Sequence, residues 1–289
     1  MRSRRPVAFS WCLLPAFCAI TLLAAGRDAQ AKESGAFIID EDAEGTGAAE
    51  SDTTAAESDT SGTSSEVIPG AFSGGVALTS NYVDRGITNS DDEPAIQGTL
   101  EYSIETGLLG SSVYVGTFAS NAKLEGDTDT SNVEIDALFG LRGDFGETGL
   151  SWDLGGAYYA YPGTRSADNF NYWEIPLTLT YQATDWLEIE FFNAATPEYQ
   201  FNTGIGNYAR GTLTFDVPNP YVGFKVYAGA GYQYVEKDVS GTDWILGTTV
   251  TFKGVDFGVA YTDTNYSRGA CGGTNECSAK AVFTVGASF

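Results

Sequence analysis

Histidine is absent from all 289 residues of the chain. Because imidazole is the commonest general base and the commonest metal ligand in proteins, its absence excludes a Ser–His hydrolase and argues against a metal site. The sequence shows no other pairing of a nucleophile with a base. We therefore expect that the protein is not an enzyme and that it uses no metal and no other cofactor.

Basic residues are scarce as well. Lysine and arginine together number 15 against 38 aspartates and glutamates, which gives a formal net charge of −23. A chain this acidic is poorly suited to bind nucleic acid or to attach electrostatically to anionic lipid. Nucleic acid is therefore not an expected partner.

Long apolar runs are missing except near the N-terminus. Residues 7–25 form an apolar stretch behind an arginine-rich start, and Ala29-Gln30-Ala31 then has the form of a cleavage site. This order predicts a secretory signal peptide over residues 1–31, with a membrane-anchoring helix as the alternative. No later segment reaches the roughly 18 to 20 apolar residues that a spanning helix needs. The chain is thus predicted to be exported.

Residues 32–69 are acidic and rich in Ala, Ser, Thr and Gly, with Lys32 as the only base. Such a composition buries too little apolar surface to offset the entropy of ordering it. We predict a disordered acidic linker here. The alternative is an arm that binds a basic partner.

Alternation of apolar and polar residues with period two dominates the rest of the chain. In 281–289, for example, Phe283, Val285 and Ala287 occupy every second position. Side chains on a strand point alternately to two faces, so the pattern predicts strands with one apolar and one polar face. Twelve such segments are predicted, at 72–83, 96–104, 110–119, 133–142, 150–161, 171–181, 186–193, 208–217, 222–233, 244–252, 255–262 and 281–289. Their lengths suit tilted membrane strands, which need about 9 to 11 residues.

The links between these strands are predicted to alternate strictly between short and long. Links after even-numbered strands are short, such as 253–254, whereas links after odd-numbered strands are longer and polar, such as 84–94, 121–131 and 263–279. A membrane barrel with tight periplasmic turns and long outer loops has this arrangement, whereas a soluble β-sandwich has no reason to sort its loops. The sequence therefore predicts an all-β fold over residues 70–289, a transmembrane antiparallel up-and-down β-barrel of twelve strands.

Aromatic residues on the apolar phase gather at both ends of the strands. Those near the long links are Trp173, Tyr234, Trp244 and Tyr261. Those near the short links are Trp152, Tyr181, Phe252, Phe257 and Phe289. Two aromatic girdles are expected where a barrel meets the two membrane interfaces; the alternative is that these rings fill the core of a β-sandwich.

The last strand has the form of an assembly signal. Phe289 ends the chain, with Ala281, Phe283, Val285 and Ala287 on the same face. Outer-membrane barrels present such a C-terminal strand to their assembly machinery. We therefore expect the outer membrane of a Gram-negative bacterium as the location, with its lipid and its barrel assembly machinery as partners.

The polar phase of the strands is predicted to line the lumen. The residues that we assign to the lumen are Glu101, Glu134, Asp136, Arg142, Glu174, Glu188, Glu190, Arg210 and Lys225. Same-face pairs such as Glu134/Asp136 and Glu188/Glu190 have the form of an acid/base couple or a cation site. Alternation produces such pairs wherever a lumen wall is charged, and this is the interpretation that we prefer.

Cys271 and Cys277 are the only cysteines after the predicted signal peptide, and both lie in the last long link. In an oxidising compartment this pair predicts a local disulfide, since no further Cys or His is present to complete a metal site.

Several segments together resemble a known family, the TorF porins, a proteobacterial outer-membrane group of unknown function of the Gcw_chp type. The similar segments are 79–87, 94–98, 158–163, 171–174 and 260–264. The resemblance covers roughly residues 72–289, and Asp84 departs from it because the family pattern leads us to expect an aromatic residue there. It implies an outer-membrane barrel, whereas the designation as a porin is itself an inference about function.

Three classes of function remain. The polar barrel interior favours a passive channel for small solutes, and the excess of acidic residues in the lumen and in the outer loops predicts a weak preference for cations. A non-conducting structural or interaction barrel, such as an adhesin, is the main alternative, because side chains can plug a barrel this narrow. An outer-membrane enzyme is the third class.

Overall fold

The computed structural model describes residues 70–289 apart from 109, 126–129 and 165–168. The predicted signal peptide (1–31) and acidic linker (32–69) lie outside the described residues, so both remain predictions. None of the helical segments in the described ranges is long and apolar enough to cross a membrane.

Twelve long strands close into one barrel, and two short strands form a separate sheet. The elements are β1 (Ala71–Thr79), β2 (Val83–Asp84), β3 (Ile87–Thr88), β4 (Ala95–Glu105), β5 (Ser112–Glu125), β6 (Thr130–Asp144), β7 (Leu150–Ala160), β8 (Tyr172–Thr184), β9 (Leu187–Thr196), β10 (Gly206–Asp216), β11 (Gly223–Val235), β12 (Gly241–Phe252), β13 (Val255–Thr264) and β14 (Lys280–Ser288). Short 3-10 turns lie at Gly146–Thr148 and Gln200–Asn202.

Each barrel strand pairs with its neighbours in the chain, and β1 closes the barrel by pairing antiparallel with β14. The closure places Gly75 opposite Ser288 and Thr79 opposite Thr284. Phe289 continues the pairing, since its N–H donates to the carbonyl oxygen of Gly74 at 2.9 Å. Because a closed sheet has no free edge, each strand has a neighbour on both sides with which to pair its backbone groups. The predicted all-β up-and-down barrel of twelve strands is confirmed.

The apolar phase of the strands forms the outer face. Along β14, Phe283 and Val285 are exposed by 57% and 44%, while Thr284 between them is less exposed. The same holds in β6, where Ile135 and Phe139 are exposed. A closed barrel with an apolar exterior is the form in which strands cross an outer membrane. The protein is located in the outer membrane of a Gram-negative bacterium.

Aromatic side chains lie on this outer face near both ends of the barrel. At the end with the long links, Trp173, Tyr234, Trp244 and Tyr261 are exposed. At the opposite end Tyr181, Phe252, Phe257 and Phe289 are exposed, and Trp152 is half-buried. The rings thus point away from the barrel interior, as two membrane girdles require.

The chain departs from the predicted pattern in its links. The first strand ends at Thr79 and not at residue 83, because the chain then leaves the barrel wall and turns inward. β5 and β6 extend well beyond 110–119 and 133–142, since their polar ends continue to pair across the 121–131 region, with an irregularity between Asn121 and Leu124. Only residues 126–129 separate β5 from β6, and only residues 236–240 separate β11 from β12, so the predicted strict alternation of short and long links is wrong at these two points.

Tyrosine rings on the inner face lie flat against glycines of neighbouring strands. A Cβ atom added to Gly140 would lie 2.6 Å from the hydroxyl oxygen of Tyr114, and one added to Gly247 would lie 2.4 Å from the ring of Tyr227. Glycine at these two positions therefore leaves room for a large ring inside a narrow barrel.

Candidate functional site: the barrel interior

The link between β1 and β4 folds into the barrel. We call residues 81–90 the inward hairpin; it contains β2 and β3. Arg85 and Gly86 connect these strands with φ angles of 46° and 81°, as a two-residue type I′ turn requires. A Cβ on Gly86 would lie 2.2 Å from Cγ2 of Thr264. Glycine thus meets two demands here, the left-handed backbone and the close approach to the barrel wall.

Arg85, at the tip of the inward hairpin, holds it to three barrel strands. Its Nη1 and Nη2 donate to the two carboxylate oxygens of Glu174 on β8 at 3.0 and 2.8 Å, and Nη1 also donates to the amide oxygen of Gln233 on β11 at 2.9 Å. The guanidinium lies 4.4 Å from the ring centroid of Tyr208 on β10. Burial by itself would lower the pKa of Arg85, but the carboxylates of Glu174 and Asp84 raise it well above the usual value.

A second anchor lies on β6. Tyr82 is buried, and its hydroxyl donates to Oε1 of Glu134 at 3.2 Å. Burial raises the pKa of Tyr82 well above the usual value, and the nearby charges of Glu134 and Asp136 raise it further, so the phenol keeps its proton and acts as the donor. Across the described ranges, no group of three or more Cys, Asp or Glu side chains is arranged to hold a metal ion.

Ion pairs attach the end of the link between β1 and β4 to the barrel rim. Lys280 on β14 lies 2.6 Å from Oδ1 of Asp92, and Lys123 on β5 lies 2.6 Å from Oδ2 of Asp91. The backbone N–H of Lys123 also donates to the carbonyl oxygen of Asn89 at 2.7 Å. The link is therefore attached to β14, the neighbour of β1, and to β5, the neighbour of β4.

The last long link, residues 265–279, covers the inward hairpin. It carries the disulfide Cys271–Cys277, which confirms the predicted pair. The N–H of Thr88 donates to the carbonyl oxygen of Glu276 at 3.1 Å. We call the buried apolar cluster at this end of the barrel the cap; it comprises Ile87, Ala122, Leu124, Ala157, Tyr159, Tyr161, Phe170, Tyr172, Tyr199, Val235, Tyr266, Ala270, Cys271 and Cys277. The disulfide thus lies in a packed cluster and not in an isolated loop.

The structure places the nine residues assigned to the lumen on the inner face in three groups. Glu134, Asp136 and Glu174 are buried beneath the inward hairpin. Glu101 and Arg142 pair with each other, with Nη1 donating to Oε2 at 3.1 Å. The third group is half-buried and comprises Glu188, Glu190, Arg210 and Lys225. Of these, Lys225 lies 3.3 Å from Oδ1 of Asp216.

A cavity of about 110 Å³ lies between the inward hairpin and the wall formed by β12, β13, β14, β1 and β4. Residues that line it include Ala77, Thr99, Arg210, Tyr227, Asp243, Asp256, Ala260, Thr262, Thr284 and Gly286, with Val83, Arg85 and Gly86 from the hairpin. Of the nine residues predicted to face the lumen, Arg210 is the one that lines this cavity. This cavity therefore lies on a different wall from most of the predicted charges.

Sequence reasoning missed Arg85 as an interior residue. The signal available was weak: Arg85-Gly86 stands between the pairs Val83-Asp84 and Ile87-Thr88, which is the spacing of a two-residue hairpin. A residue other than glycine is uncommon at a positive φ, so Arg85 did not suggest a tight turn. The apolar–polar alternation also continues to residue 83, which extended the predicted first strand into the hairpin.

A family model described as "Bacterial protein of unknown function (Gcw_chp)" matches residues 63–289. No curated protein matches the chain. Among solved structures, the COG4313 outer membrane channel from Pseudomonas putida F1 is similar, with 11% identity and a TM-score of 0.49 over 81% of this chain and 100% of that chain. The KdgM porin has 10% identity and a TM-score of 0.44 over 75% and 98%. LpxR from Salmonella typhimurium has 11% identity and a TM-score of 0.41 over 75% and 99%. At these identities the likeness does not extend to function.

Proposed function

The chain belongs to the Gcw_chp family of bacterial proteins of unknown function, and we propose that it is a porin-like outer-membrane channel for the passive diffusion of small solutes. The inward hairpin is its constriction. The narrower TorF assignment stays a prediction, as does the expectation that the protein is not an enzyme.

The cavity carries this proposal. A barrel that serves only as a scaffold needs no open space beside its plug, because a close-packed interior is the more stable arrangement. Here threonine, tyrosine and charged side chains from several strands face the same space, and the hairpin closes it on one side. An open space inside the barrel that is lined in part by such polar groups supports the passage of small solutes.

A weak preference for cations belongs to the same proposal. The pairing of Glu101 with Arg142, of Glu174 with Arg85 and of Asp216 with Lys225 cancels part of the lumen charge. Glu188 and Glu190 share one face of β9, and the charge of Arg210 acts on Glu190. Glu134 and Asp136 are buried beneath the inward hairpin, so we assign the excess of accessible negative charge to Glu188 and Glu190. Carboxylates that line a pore favour cations.

Liposome swelling tests the proposal. Purified, folded protein should let glycerol equilibrate across the vesicle wall faster than in protein-free vesicles, while a trisaccharide stays outside. Vesicles that contain heat-unfolded protein are the control for leakage. Swelling at the protein-free rate would reject the channel.

The alternative, a non-conducting structural or interaction barrel, is favoured by one observation. The inward hairpin and the cap are buried almost completely, with Ile87 and Tyr159 at 0% exposure. In that case the swelling experiment gives no uptake. Contact with outer-membrane lipid is common to both proposals, and the barrel assembly machinery, recognising Phe289, is a proposed partner in both.

A further inference from the structure

We propose that solutes cross the barrel on an eccentric path along the wall of β13, β14 and β1, and that this path takes small neutral hydroxylated solutes. The inference rests on the channel function proposed above. It names the wall, the lining and the chemical class of the solute.

The two sides of the lumen differ in the size of their side chains. Toward β13, β14 and β1 the inner face of the cavity presents Ala260, Gly286 and Ala77. The opposite wall is filled: the Tyr114 hydroxyl donates to Oδ1 of Asp153 at 2.7 Å, and the Arg142 guanidinium lies 4.8 Å from the Tyr114 ring centroid. This cavity therefore lies beside small residues of the barrel wall.

The lining of the cavity supplies hydroxyl groups. Thr79, Thr99, Thr262 and Thr284 face it from β1, β4, β13 and β14. Thr284 and Thr79 lie 3.3 Å apart across the β1–β14 closure. A hydroxyl both donates and accepts hydrogen bonds, so these threonines offer a small hydroxylated solute uncharged partners within a lining that also contains apolar residues.

The charges around the cavity occur in equal number and have partners within the protein. Asp243 accepts a hydrogen bond from Tyr208 at 2.9 Å, and Thr251 donates to Oδ1 of Asp256. Arg85 is held by Glu174, and Arg210 is the second base in the lining. Two acids and two bases leave no net charge at the cavity. This lining therefore selects by size and hydrogen bonding, and the weak cation preference proposed above is assigned to Glu188 and Glu190, which lie outside it.

Cysteine substitution and labelling test the path. Ala260→Cys places a thiol on the proposed path, Thr178→Cys places one on the inner face of β8 outside the cavity, and Val259→Cys places one on the outer face beside Ala260. Each variant is reacted with a water-soluble methanethiosulfonate before glycerol swelling is measured, with the native disulfide left intact.

The expected result is a severalfold loss of glycerol uptake for labelled Ala260→Cys and little change for labelled Thr178→Cys and Val259→Cys. Unlabelled Ala260→Cys is the reference for its own labelled form, and the native protein should take up glycerol severalfold faster than sodium aspartate or lysine hydrochloride. Loss of uptake in labelled Thr178→Cys with none in Ala260→Cys would overturn the path, and equal rates for the charged solutes would overturn the solute class.

Failure of the channel itself is recognised separately. If the native protein gives no swelling, mass spectrometry of the labelled variants still reports which wall water reaches. Labelling of Ala260→Cys without labelling of Thr178→Cys would support the eccentric opening as a ligand pocket, and an unreactive Ala260→Cys would overturn it.

Discussion

The guanidinium of Arg85 and the carboxylate of Glu174 form a two-fold hydrogen-bonded ion pair inside the barrel, with distances of 3.0 and 2.8 Å. Both side chains are about 1% exposed. Paired arginine and carboxylate groups of this geometry are among the stronger polar contacts in proteins. Removing one partner leaves a buried charge without compensation, at a cost of about 3 to 5 kcal/mol. The inward hairpin is therefore expected to stay in place only while both partners are present.

Charge reversal at this pair should release the inward hairpin. Arg85→Glu places a second carboxylate against Glu174, so we expect larger and noisier single-channel currents than in the native protein. The double variant Arg85→Glu/Glu174→Arg restores opposite charges and should return part of the native behaviour. Planar-bilayer recording measures both.

The matched control is Arg268→Glu, which changes the same residue type in an exposed position of the last long link. It should leave the current unchanged. Equal currents in native protein and Arg85→Glu would show that this pair does not hold the constriction.

Loss of the disulfide should loosen the cap and leave the barrel wall intact. Closing a ring this short contributes about 2 kcal/mol, and Cys271 and Cys277 are packed in the cap beside Ile87. In a Cys271→Ser/Cys277→Ser variant we expect faster amide exchange across residues 265–279 and at Thr88, but the native shift between unboiled and boiled samples on gels. Ready alkylation of both thiols in the non-reduced native protein would contradict the pairing.

Gly247→Ala should narrow the cavity without unfolding the barrel. The new methyl group would meet the end of the Tyr227 side chain at 2.4 Å, and this flexible side chain can rotate toward the cavity that it lines. Glycerol uptake should fall in Gly247→Ala and recover in Gly247→Ala/Tyr227→Ala. Because the two residues are in contact, their effects should not add; additive effects would indicate that Tyr227 is not displaced.

Charge selectivity should depend on β9. In a salt gradient the native protein should show a small reversal potential of the sign for cations, and Glu188→Gln/Glu190→Gln should reduce it. High salt should weaken it, since the Debye length falls from about 10 Å at 0.1 M to about 3 Å at 1 M. Glu147→Gln, in an exposed turn outside the lumen, is the control. Anion preference in the native protein would reject the assignment.

The sequence was sufficient to predict the wall of the barrel. Alternation alone placed residues such as Phe283 outside and Glu134 inside, because the two faces of a strand meet different surroundings. The closed barrel of the structure is also the fold that the family resemblance implies.

Alternation could not predict that the link between β1 and β4 folds inside the barrel. Alternation describes which face a side chain takes, but whether a link stands in solvent or folds inward depends on contacts between distant residues, such as Arg85 with Glu174, 89 positions apart. For the same reason alternation predicted a charged lumen without revealing that Glu134 and Glu174 anchor the inward hairpin.

The most direct test of the account is single-channel conductance of the native protein beside a variant in which residues 81–93 are replaced by a short Gly-Ser linker. Replacing residues 236–240 in the same way provides the control for an altered outer link. We predict small discrete steps in the native protein, unchanged steps in the control, and clearly larger steps once the inward hairpin is gone. Absence of steps in all three, or equal steps in native protein and the hairpin-free variant, would contradict a channel constricted by this hairpin.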